Sequence, residues 1–377
     1  MLNVYQGYSS SMDTVTAANE IIHQIGQSDV NYVVFFAGNN YDFNVLSRVM
    51  KDRFPKAEVV GCTTAGEISK NCFTQNSLVA MGIASKDFIT ATTVIENISA
   101  APILHREELI HTFKKTGMRL EDATSGKHVF CFTLMDGLSS SEEKVLSVIN
   151  SIFKQPGFPI IGGSAGDGLD FKETKVSYNG KVYTNAAVVT FVKTSHKFYI
   201  YKENIFKPFG AQMVVTKADI KNRIVYEFDH QPAAKYYAQK LGIAEKDLSK
   251  YFSTNPLGRK IGDKIWIASP FKVNTDHSIQ FYCQVLTNSV LEILEPLDPV
   301  TVIHESIDHV KRNIKSIKGM IAVNCILRTL QFQQQNNGKQ IVSPLLSLAP
   351  VVGFSSYGEQ LNNTHLNQTL VLLALGE

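Results

Sequence analysis

The chain repeats one short pattern three times, in which an apolar segment of strand character runs directly into a turn of glycine and small polar residues. Two copies are nearly identical, VVGCTTAGEIS at residues 59–69 and VVGFSSYGEQL at residues 351–361, although they lie close to opposite ends of the chain. A looser copy, IIGGSAGDGLD, occupies residues 160–170. Recurrence of this kind is typical of folds built from repeated structural units. The pattern therefore favours a fold in which three similar strand ends recur.

Each copy closes a segment that has the pattern of a βαβ unit. An apolar run such as YVVFFAG or HVFCFTLMDG indicates a buried strand, a helical pattern follows in the first two segments, and the glycine-turn copy begins as a second strand. In the second segment, Ser140 and Glu143 have the spacing of a capping box that opens the helix. In the third, GMIAVNCILR predicts the first strand. We therefore predict recurring βαβ-type units.

Other stretches predict antiparallel hairpins. The segments KVYTNAAVVTFV, GAQMVVTKA, KIWIASPF and SIQFYCQVL are rich in β-branched and aromatic residues and are separated by turn-forming residues. The expected fold class is α/β in the mixed α+β sense, with repeated βαβ-type units and antiparallel hairpins. A length of 377 residues exceeds one ordinary core, and the strand series is interrupted near Pro208. We predict two domains, residues 1–208 and 209–377.

Charge and composition exclude several classes of protein. The formal net charge is +3 and no run of five basic residues occurs, so we expect neither a nucleic-acid nor a membrane partner. The apolar run LVLLAL is far shorter than a membrane span and the start lacks a signal-peptide pattern, so the expected location is the cytoplasm. Five dispersed cysteines without a C-x-x-C pair argue against a zinc ribbon or a disulfide scaffold.

The glycine turns have the position of ligand-binding loops. Loops after the carboxyl ends of parallel strands bind ligands in α/β folds. Nucleotide triphosphates are excluded because Glu67 and Glu359 stand where a phosphate-binding loop requires lysine, and no G-x-G-x-x-G supports a dinucleotide. The GGSAG stretch matches the G-x-S-x-G nucleophile elbow, but the residues after it lack the pattern of the required helix. A serine hydrolase using Ser164 is therefore the weakest alternative.

The order and spacing of several stretches closely resemble the FIST family, signal-input proteins made of an N-terminal and a C-terminal FIST domain. The sequence departs from the family pattern at NTDHSI, where a D-G turn is usual, and at VLTNSVLEI, which lacks the usual glycine. The resemblance implies the two-domain FIST architecture. It rests on VVGCTTAGEIS, MDG followed by a helix and IIGGSAGDGLDF, NAAVV, FKPFGAQMVVTKA leading to VYEFDHQPAAKYY, NCILR, and VVGFSSYGEQLNNTHLNQTLVLLAL.

The resemblance implies a bacterial, non-enzymatic sensor. Stand-alone members of similar length include the nitric-oxide-sensing NosP proteins, which carry haem b. The expected function is thus a cytosolic sensor that binds haem and nitric oxide and modulates a partner histidine kinase or another signalling output protein. Haem would be held non-covalently, because no C-x-x-C-H motif occurs. His365 is the first choice of axial ligand, with Tyr357, Cys62 and Cys325 as alternatives. The partner's identity and the oligomeric state, a homo-oligomer included, stay open.

The alternative is a FIST-type sensor of a small organic metabolite without haem. In that case Glu67, Glu359 and Arg328 would be polar anchors in a mostly apolar pocket, and Arg328 could hold a carboxylate at two points. In either case we predict that the glycine turns and the strand end before Arg328 line the ligand site. The predicted metal ligand is His365, and the predicted ligand-binding residues are Gly61, Cys62, Thr63, Gly66, Glu67, Gly162, Gly163, Cys325, Arg328, Gly353, Tyr357, Gly358 and Glu359.

Overall fold

The chain divides into two compact units. A computed structural model describes residues 1–26, 29–69, 72–125, 128–154, 157–262 and 264–377. Unit 1 contains three segments, Met1–Lys202, Ile303–His365 and Leu370–Glu377. Unit 2 contains Glu203–Val302 and Leu366–Thr369. The chain thus leaves unit 1 twice and returns to it each time, whereas the predicted domains, 1–208 and 209–377, are consecutive. That boundary stays a prediction about family domains.

Two repeats occupy the first half of unit 1, and each has the strand and helix order β-α-β-α-β followed by a short hairpin and a final strand. The first repeat contains β1 (Asn3–Ser9), α1 (Thr14–Ile25), β2 (Tyr32–Ala37), α2 (Phe43–Arg53), β3 (Glu58–Thr63), β4 (Glu67–Ser69), β5 (Cys72–Thr74) and β6 (Leu78–Ala84). The second contains β7 (Phe88–Glu96), α3 (Arg106–Lys115), β8 (Val129–Met135), α4 (Glu142–Ser151), β9 (Ile160–Ser164), β10 (Val176–Tyr178), β11 (Lys181–Tyr183) and β12 (Ala186–Thr194). Short 3-10 helices span Pro102–His105 and Leu120–Ser125.

A third repeat begins with β13 (Lys197–Asn204), and the strands of unit 2 interrupt it. Unit 2 contains β14 (Phe206–Asp219), β15 (Ile224–Phe228), β16 (Gln231–Pro232), α5 (Ala233–Leu241), a 3-10 helix (Glu245–Tyr251), β17 (Leu257–Ile261), β18 (Lys264–Ala268), β19 (Pro270–Val273), β20 (Ile279–Phe281) and β21 (Val290–Pro296). The repeat then continues with α6 (Pro299–Asn313), β22 (Ile317–Cys325), α7 (Ile326–Gln334), α8 (Gly338–Leu346), β23 (Val351–Ser356), β24 (Glu359–Leu361), β25 (Thr364–Leu366) and β26 (Thr369–Gly376).

The three repeats build equivalent sheets. Their strand orders are β1-β6-β2-β3, β7-β12-β8-β9 and β13-β26-β22-β23. In each, the last two strands are parallel, and they are the strands of the predicted βαβ unit. The glycine-turn copies supply β3, β9 and β23. The prediction of a mixed α+β fold with repeated βαβ-type units is therefore confirmed.

Each repeat gives its short hairpin to a different repeat. Strand β4 pairs with β23, β24 pairs with β9, and β10 pairs with β3, all antiparallel. The first repeat thus joins the third, the third joins the second, and the second joins the first. This cyclic exchange gives unit 1 an internal threefold arrangement.

Apolar faces hold helices against these sheets. In α1, Asp13 accepts a hydrogen bond from the Thr16 backbone N–H at 2.7 Å, which caps the helix, and the buried face includes Ile21 and Ile25. Phe36 of the first repeat stacks on Phe354 of the third with ring centroids 4.5 Å apart. Within unit 2, α5 packs on β14, β15 and their neighbours in a separate apolar cluster.

Two local predictions were wrong. Helix α4 begins at Glu142 with Ser141 as its N-cap and without a side-chain capping bond, because the Ser141 hydroxyl donates to the carbonyl of Ser139. The predicted strand GMIAVNCILR ends at Cys325, so Arg328 lies in the first turn of α7.

The segments predicted to form antiparallel hairpins do form strands, namely β11 and β12, β14, β18 and β20. In the described part of the chain no helix is long and apolar enough to cross a membrane.

Candidate functional site

The three glycine turns meet at the carboxyl ends of β3, β9 and β23. The backbone N–H of Ala65 donates to Ser355 O at 3.1 Å, and that of Tyr357 donates to Ser164 O at 3.1 Å. Gly166 N–H closes the cycle by donating to Thr63 O at 3.0 Å. We call this part of unit 1 the strand-end hub, residues 63–67, 164–166 and 355–359. The three glycine turns therefore lie together at one place in the fold.

The residues predicted to bind a ligand lie inside this hub or just beneath it. Tyr357 is half-buried, and all the others are buried. Whether they contact a ligand stays a prediction. Those others are Gly61, Cys62, Thr63, Gly66, Glu67, Gly162, Gly163, Cys325, Arg328, Gly353, Gly358 and Glu359.

Glu67 is a fully buried carboxyl group held by hydroxyl and amide donors. Thr64 donates to Oε1, and the backbone N–H and hydroxyl of Ser77 donate to Oε2 at 3.0 and 2.6 Å. Burial raises the pKa of Glu67 to about 7, while these hydrogen bonds act in the opposite direction. Glu67 therefore titrates near neutral pH inside the hub.

The equivalent carboxylate of the third repeat is Glu359. The Ser356 hydroxyl donates to Glu359 Oε1 at 2.6 Å, which repeats the Thr64–Glu67 spacing three residues apart. Nearby, Arg328 is completely buried, and its Nε donates to Asn324 Oδ1 at 2.9 Å. The two copies of the motif thus use Thr or Ser and Glu to satisfy buried polar groups.

The second copy forms a different cluster around Ser164. Its hydroxyl donates to Glu142 Oε1 at 3.1 Å and accepts from Gln360 Nε2 at 3.0 Å. His365 Nε2 lies 4.0 Å from the same Glu142 oxygen. Ser164 is fully buried and is followed by a loop and a strand, without the helix of a nucleophile elbow. This arrangement does not favour Ser164 as a hydrolase nucleophile.

The donors considered for haem do not fit that group in this arrangement. The side chain of His365 is 1% exposed, and a Cβ added at Gly358 would lie 2.1 Å from its Cε1, so the imidazole is packed directly on the hub backbone. Burial raises the pKa of the Cys62 thiol well above its ordinary value, and Cys325 is also buried. The Tyr357 hydroxyl donates to Asp167. Haem iron needs a donor at an open apolar slot, and none of these atoms has one.

Metal binding by several side chains has no support either. Among the residues that the structure describes, no group of three or more His, Cys, Asp and Glu side chains is arranged to hold a metal ion.

The second repeat departs from the threefold pattern by an insertion. From Gly61 to Ile68, and from Gly353 to Gln360, the chain advances seven residues between equivalent paired positions. From Gly162 to Ser177 it advances fifteen, so this repeat carries eight extra residues. We place them at 167–174, because Gly166 N–H donates to Thr63 O as Ala65 N–H donates to Ser355 O, and Lys175 O accepts from Thr63 N–H as Gly66 O accepts from Ser355 N–H. Insertions in one copy of a repeat mark loops that often carry binding functions.

Asp167 fixes the 167–174 loop. Its carboxylate accepts the Tyr357 hydroxyl at 2.5 Å and three backbone N–H groups of residues 171–173 at 2.6 to 3.0 Å. Burial alone would raise the pKa of Asp167, but these hydrogen bonds outweigh it and hold the pKa below its ordinary value. Leu169 and Phe171 have positive φ angles of 77° and 52°, which side-chain-bearing residues rarely adopt. The loop is thus held in a strained, specific conformation.

An open cavity of about 360 Å³ lies beside this loop, within the size range of small-molecule sites. Its walls come from the loop, from the β8–α4 connection and from the turn before β12. The lining residues are Ser99, Asp136, Leu138, Ser139, Lys172, Glu173, Thr174, Thr184 and Asn185. A larger open groove of about 770 Å³ lies at the opposite, amino-terminal ends of β2 and β3 and includes Asn31 and Glu58. Ligands of parallel α/β sheets bind at the carboxyl ends, which favours the smaller cavity.

Sequence reasoning missed the residues that form this cavity. Asp136 follows β8 directly, and Lys172, Glu173 and Thr174 belong to the extra loop. The available signal was the second motif copy itself, whose turn runs eight residues longer than the other two before the next strand.

The raised pKa of Glu67 predicts a pH-dependent stability. A carboxyl group whose pKa rises on folding stabilises the folded state most below its ordinary pKa of 4.5, and this contribution is lost as pH rises to about 7. The shift corresponds to about 3 kcal/mol. We expect Glu67→Gln to remove this decline in the free energy of unfolding between about pH 5 and pH 7.

Urea unfolding across that pH range measures the effect. Glu107→Gln is the matched control, because the Glu107 side chain is 84% exposed. The same pH slope in wild type and Glu67→Gln would show that Glu67 does not titrate in this range.

Comparison with known proteins gives matches along most of the chain. Residues 31–231 match the FIST N domain, and residues 233–362 match the FIST C domain. An uncharacterized protein of Methanocaldococcus jannaschii is 24% identical over 255 residues, which are 64% of this chain. The aligned region is 47% of that protein, so the chain spans about half the length of this relative.

Solved structures resemble the chain only weakly. A chorismatase aligns with a TM-score of 0.39 and 7% identity, over 100% of this chain and 98% of the other. Phosphoribosylformylglycinamidine synthase II of Thermotoga maritima aligns with a TM-score of 0.21 and 9% identity, over 100% and 72%. Similarity at this level carries no argument about function. The two domain matches together cover well over half of the sequence, and the chain therefore belongs to the FIST family, whose domains have a sensory role in signal transduction.

Proposed function

We propose that this protein is a small-molecule sensor that binds an organic metabolite in the 360 Å³ cavity of the second repeat. The observation that carries the proposal is the break in threefold symmetry, since the eight extra residues of the second repeat form one wall of that cavity. The cavity also lies at the carboxyl ends of parallel strands. A binding site explains why one copy of an otherwise equivalent turn is longer and strained.

The loop connects the cavity to the strand-end hub. Lys172 and Glu173 line the cavity, and their backbone N–H groups donate to Asp167. Asp167 in turn accepts the hydroxyl of Tyr357, which belongs to the turn of the third repeat. A ligand that shifts the loop would therefore change a contact between two repeats. This chain of contacts is the route by which we propose that occupancy reaches the rest of unit 1.

The receiver of the signal is proposed as a partner histidine kinase or another signalling output protein. The support for this step is the sensory role of the FIST family. Autophosphorylation of a candidate kinase, measured with and without the protein, tests it directly.

Haem and nitric oxide binding, expected from the likeness to NosP proteins, is the second candidate. One observation favours it: His365 Nδ1 is buried and has no hydrogen-bond partner among the described residues, which leaves this nitrogen as a donor for iron once the chain packed against the ring has moved. Binding would require the hairpin of β24 and β25 to move away from Gly358. A Soret band that responds to nitric oxide and disappears in His365→Ala would favour this candidate over the metabolite sensor.

Filling the cavity should abolish metabolite binding. Thr184 is exposed and lines the cavity, so Thr184→Trp would occupy it without disturbing the core. In a thermal-shift screen of small organic metabolites, we expect stabilisation of wild type to be lost in Thr184→Trp. A ligand at 100 times its Kd stabilises by about 3 kcal/mol, which such a screen detects.

Thr254→Trp is the matched control, because Thr254 is an exposed threonine of unit 2. It should retain the ligand response of wild type. A response that persists unchanged in Thr184→Trp would contradict the proposed site.

A further inference from the structure

Asp136 is a buried carboxylate whose charge is not matched by a cation. It is 6% exposed and lines the cavity. Its Oδ1 accepts from Leu138 N–H at 2.9 Å and from the Thr174 hydroxyl at 2.6 Å, and its Oδ2 accepts from Asn185 N–H at 2.5 Å. All three donors are neutral. Within the described ranges, no Lys, Arg or His forms an ion pair with Asp136.

The other charged groups near the cavity are already paired or exposed. Lys172 Nζ lies 4.0 Å from Asp170, and Lys175 Nζ lies 2.7 Å from Glu173. Lys144 Nζ donates to the carbonyl of Ser99 at 2.9 Å in an exposed position. The remaining buried charge at this site is the negative charge of Asp136.

We infer that the cavity takes an organic monocation with a primary ammonium group, which donates to Asp136 Oδ2. This inference rests on the proposed function and specifies its ligand class. An ionised carboxylate offers about four acceptor positions, and three neutral donors leave one open. A buried charge is costly unless it is paired, so an ammonium ligand removes a cost that a neutral or anionic ligand would leave.

The remaining lining suits a short carbon chain beyond the ammonium group. Leu138 supplies apolar surface, and Ser99, Ser139 and Thr184 supply hydroxyl groups at the walls. A volume of about 360 Å³ accommodates a small molecule and excludes a cofactor as large as haem. The lining offers a cation a buried partner in Asp136, but it offers a carboxylate only Lys172, which is 80% exposed and screened by solvent, so a net monocation is favoured over a zwitterion.

The test uses the purified full chain and a series of alkylammonium chlorides from n-propyl to n-hexyl. Isothermal titration calorimetry compares n-butylammonium with n-butanol and n-butyrate at constant ionic strength. We expect saturable binding of n-butylammonium to wild type and at least tenfold weaker binding of the alcohol and the carboxylate. Asp136→Asn should weaken binding of n-butylammonium at least tenfold, and the exposed-site control Asp308→Asn should not change it.

A second variant keeps the test decisive if Asp136→Asn fails to fold. Thr184→Arg leaves Asp136 in place and brings a guanidinium group into the cavity, where it competes with the ligand for the carboxylate. We expect it to abolish amine binding in a protein that unfolds at the wild-type midpoint or above it.

Two results would overturn the inference. One is the absence of saturable binding for every amine of the series. The other is equal binding of n-butanol and n-butylammonium, unaffected by Asp136→Asn. A neutral or anionic metabolite that binds wild type, fails to bind Thr184→Trp and tolerates Asp136→Asn would leave the proposed sensor function standing while rejecting the ammonium ligand.

Discussion

The exchange of three short strands holds unit 1 together. Strands β4, β10 and β24 are three residues long and could not form stable sheets alone. Each pairs with the second strand of the parallel pair in another repeat. The backbone groups of the short strand therefore form their hydrogen bonds only in the assembled unit. Because the exchange is cyclic, no repeat can complete its own sheet. The three repeats therefore depend on one another for their hydrogen bonds as well as for their apolar core.

The exchange also explains the buried polar groups at the strand ends. The turns that lead into β4 and β24 pass through the interior, where Glu67 and Glu359 are enclosed by the adjoining strands. Thr64 and Ser356 occupy the same position in their turns and donate to these carboxylates. The motif residues that indicate a ligand site in the sequence are therefore also the residues whose hydrogen bonds allow these polar turns to be buried.

The local units could be read from the sequence because strand and helix patterns are local. The apolar runs of β2, β8 and β22 and the following glycine-turn strands were all predicted, and each pair is parallel. The exchange could not be predicted, since it depends on which distant strand edge β4, β10 or β24 meets. The interruption of the third repeat by unit 2 was missed for the same reason, as residues 203–302 contain strands that resemble any other hairpin series.

The candidate site, too, was predicted where it depends on local sequence and missed where it depends on distant contacts. The three turns were expected to share one place, and backbone hydrogen bonds join them there. Asp136 and Asp167 were missed because their role depends on contacts with Thr174 and Tyr357, which are distant in sequence. His365 was singled out from its position beside a turn, but its burial against Gly358 depends on how β25 packs on the hub.

The 167–174 loop is an addition for function in a hub that folds without it. The most direct measurement is the free energy of unfolding of a chain that lacks residues 167–174, in which Gly166 is joined to Lys175 and the spacing of the sister repeats is restored. A value within about 1 kcal/mol of wild type is predicted, because loop length alone contributes little to stability. A loss of several kcal/mol, or failure to fold, would show that the loop is a structural part of the hub and would contradict its assignment to function.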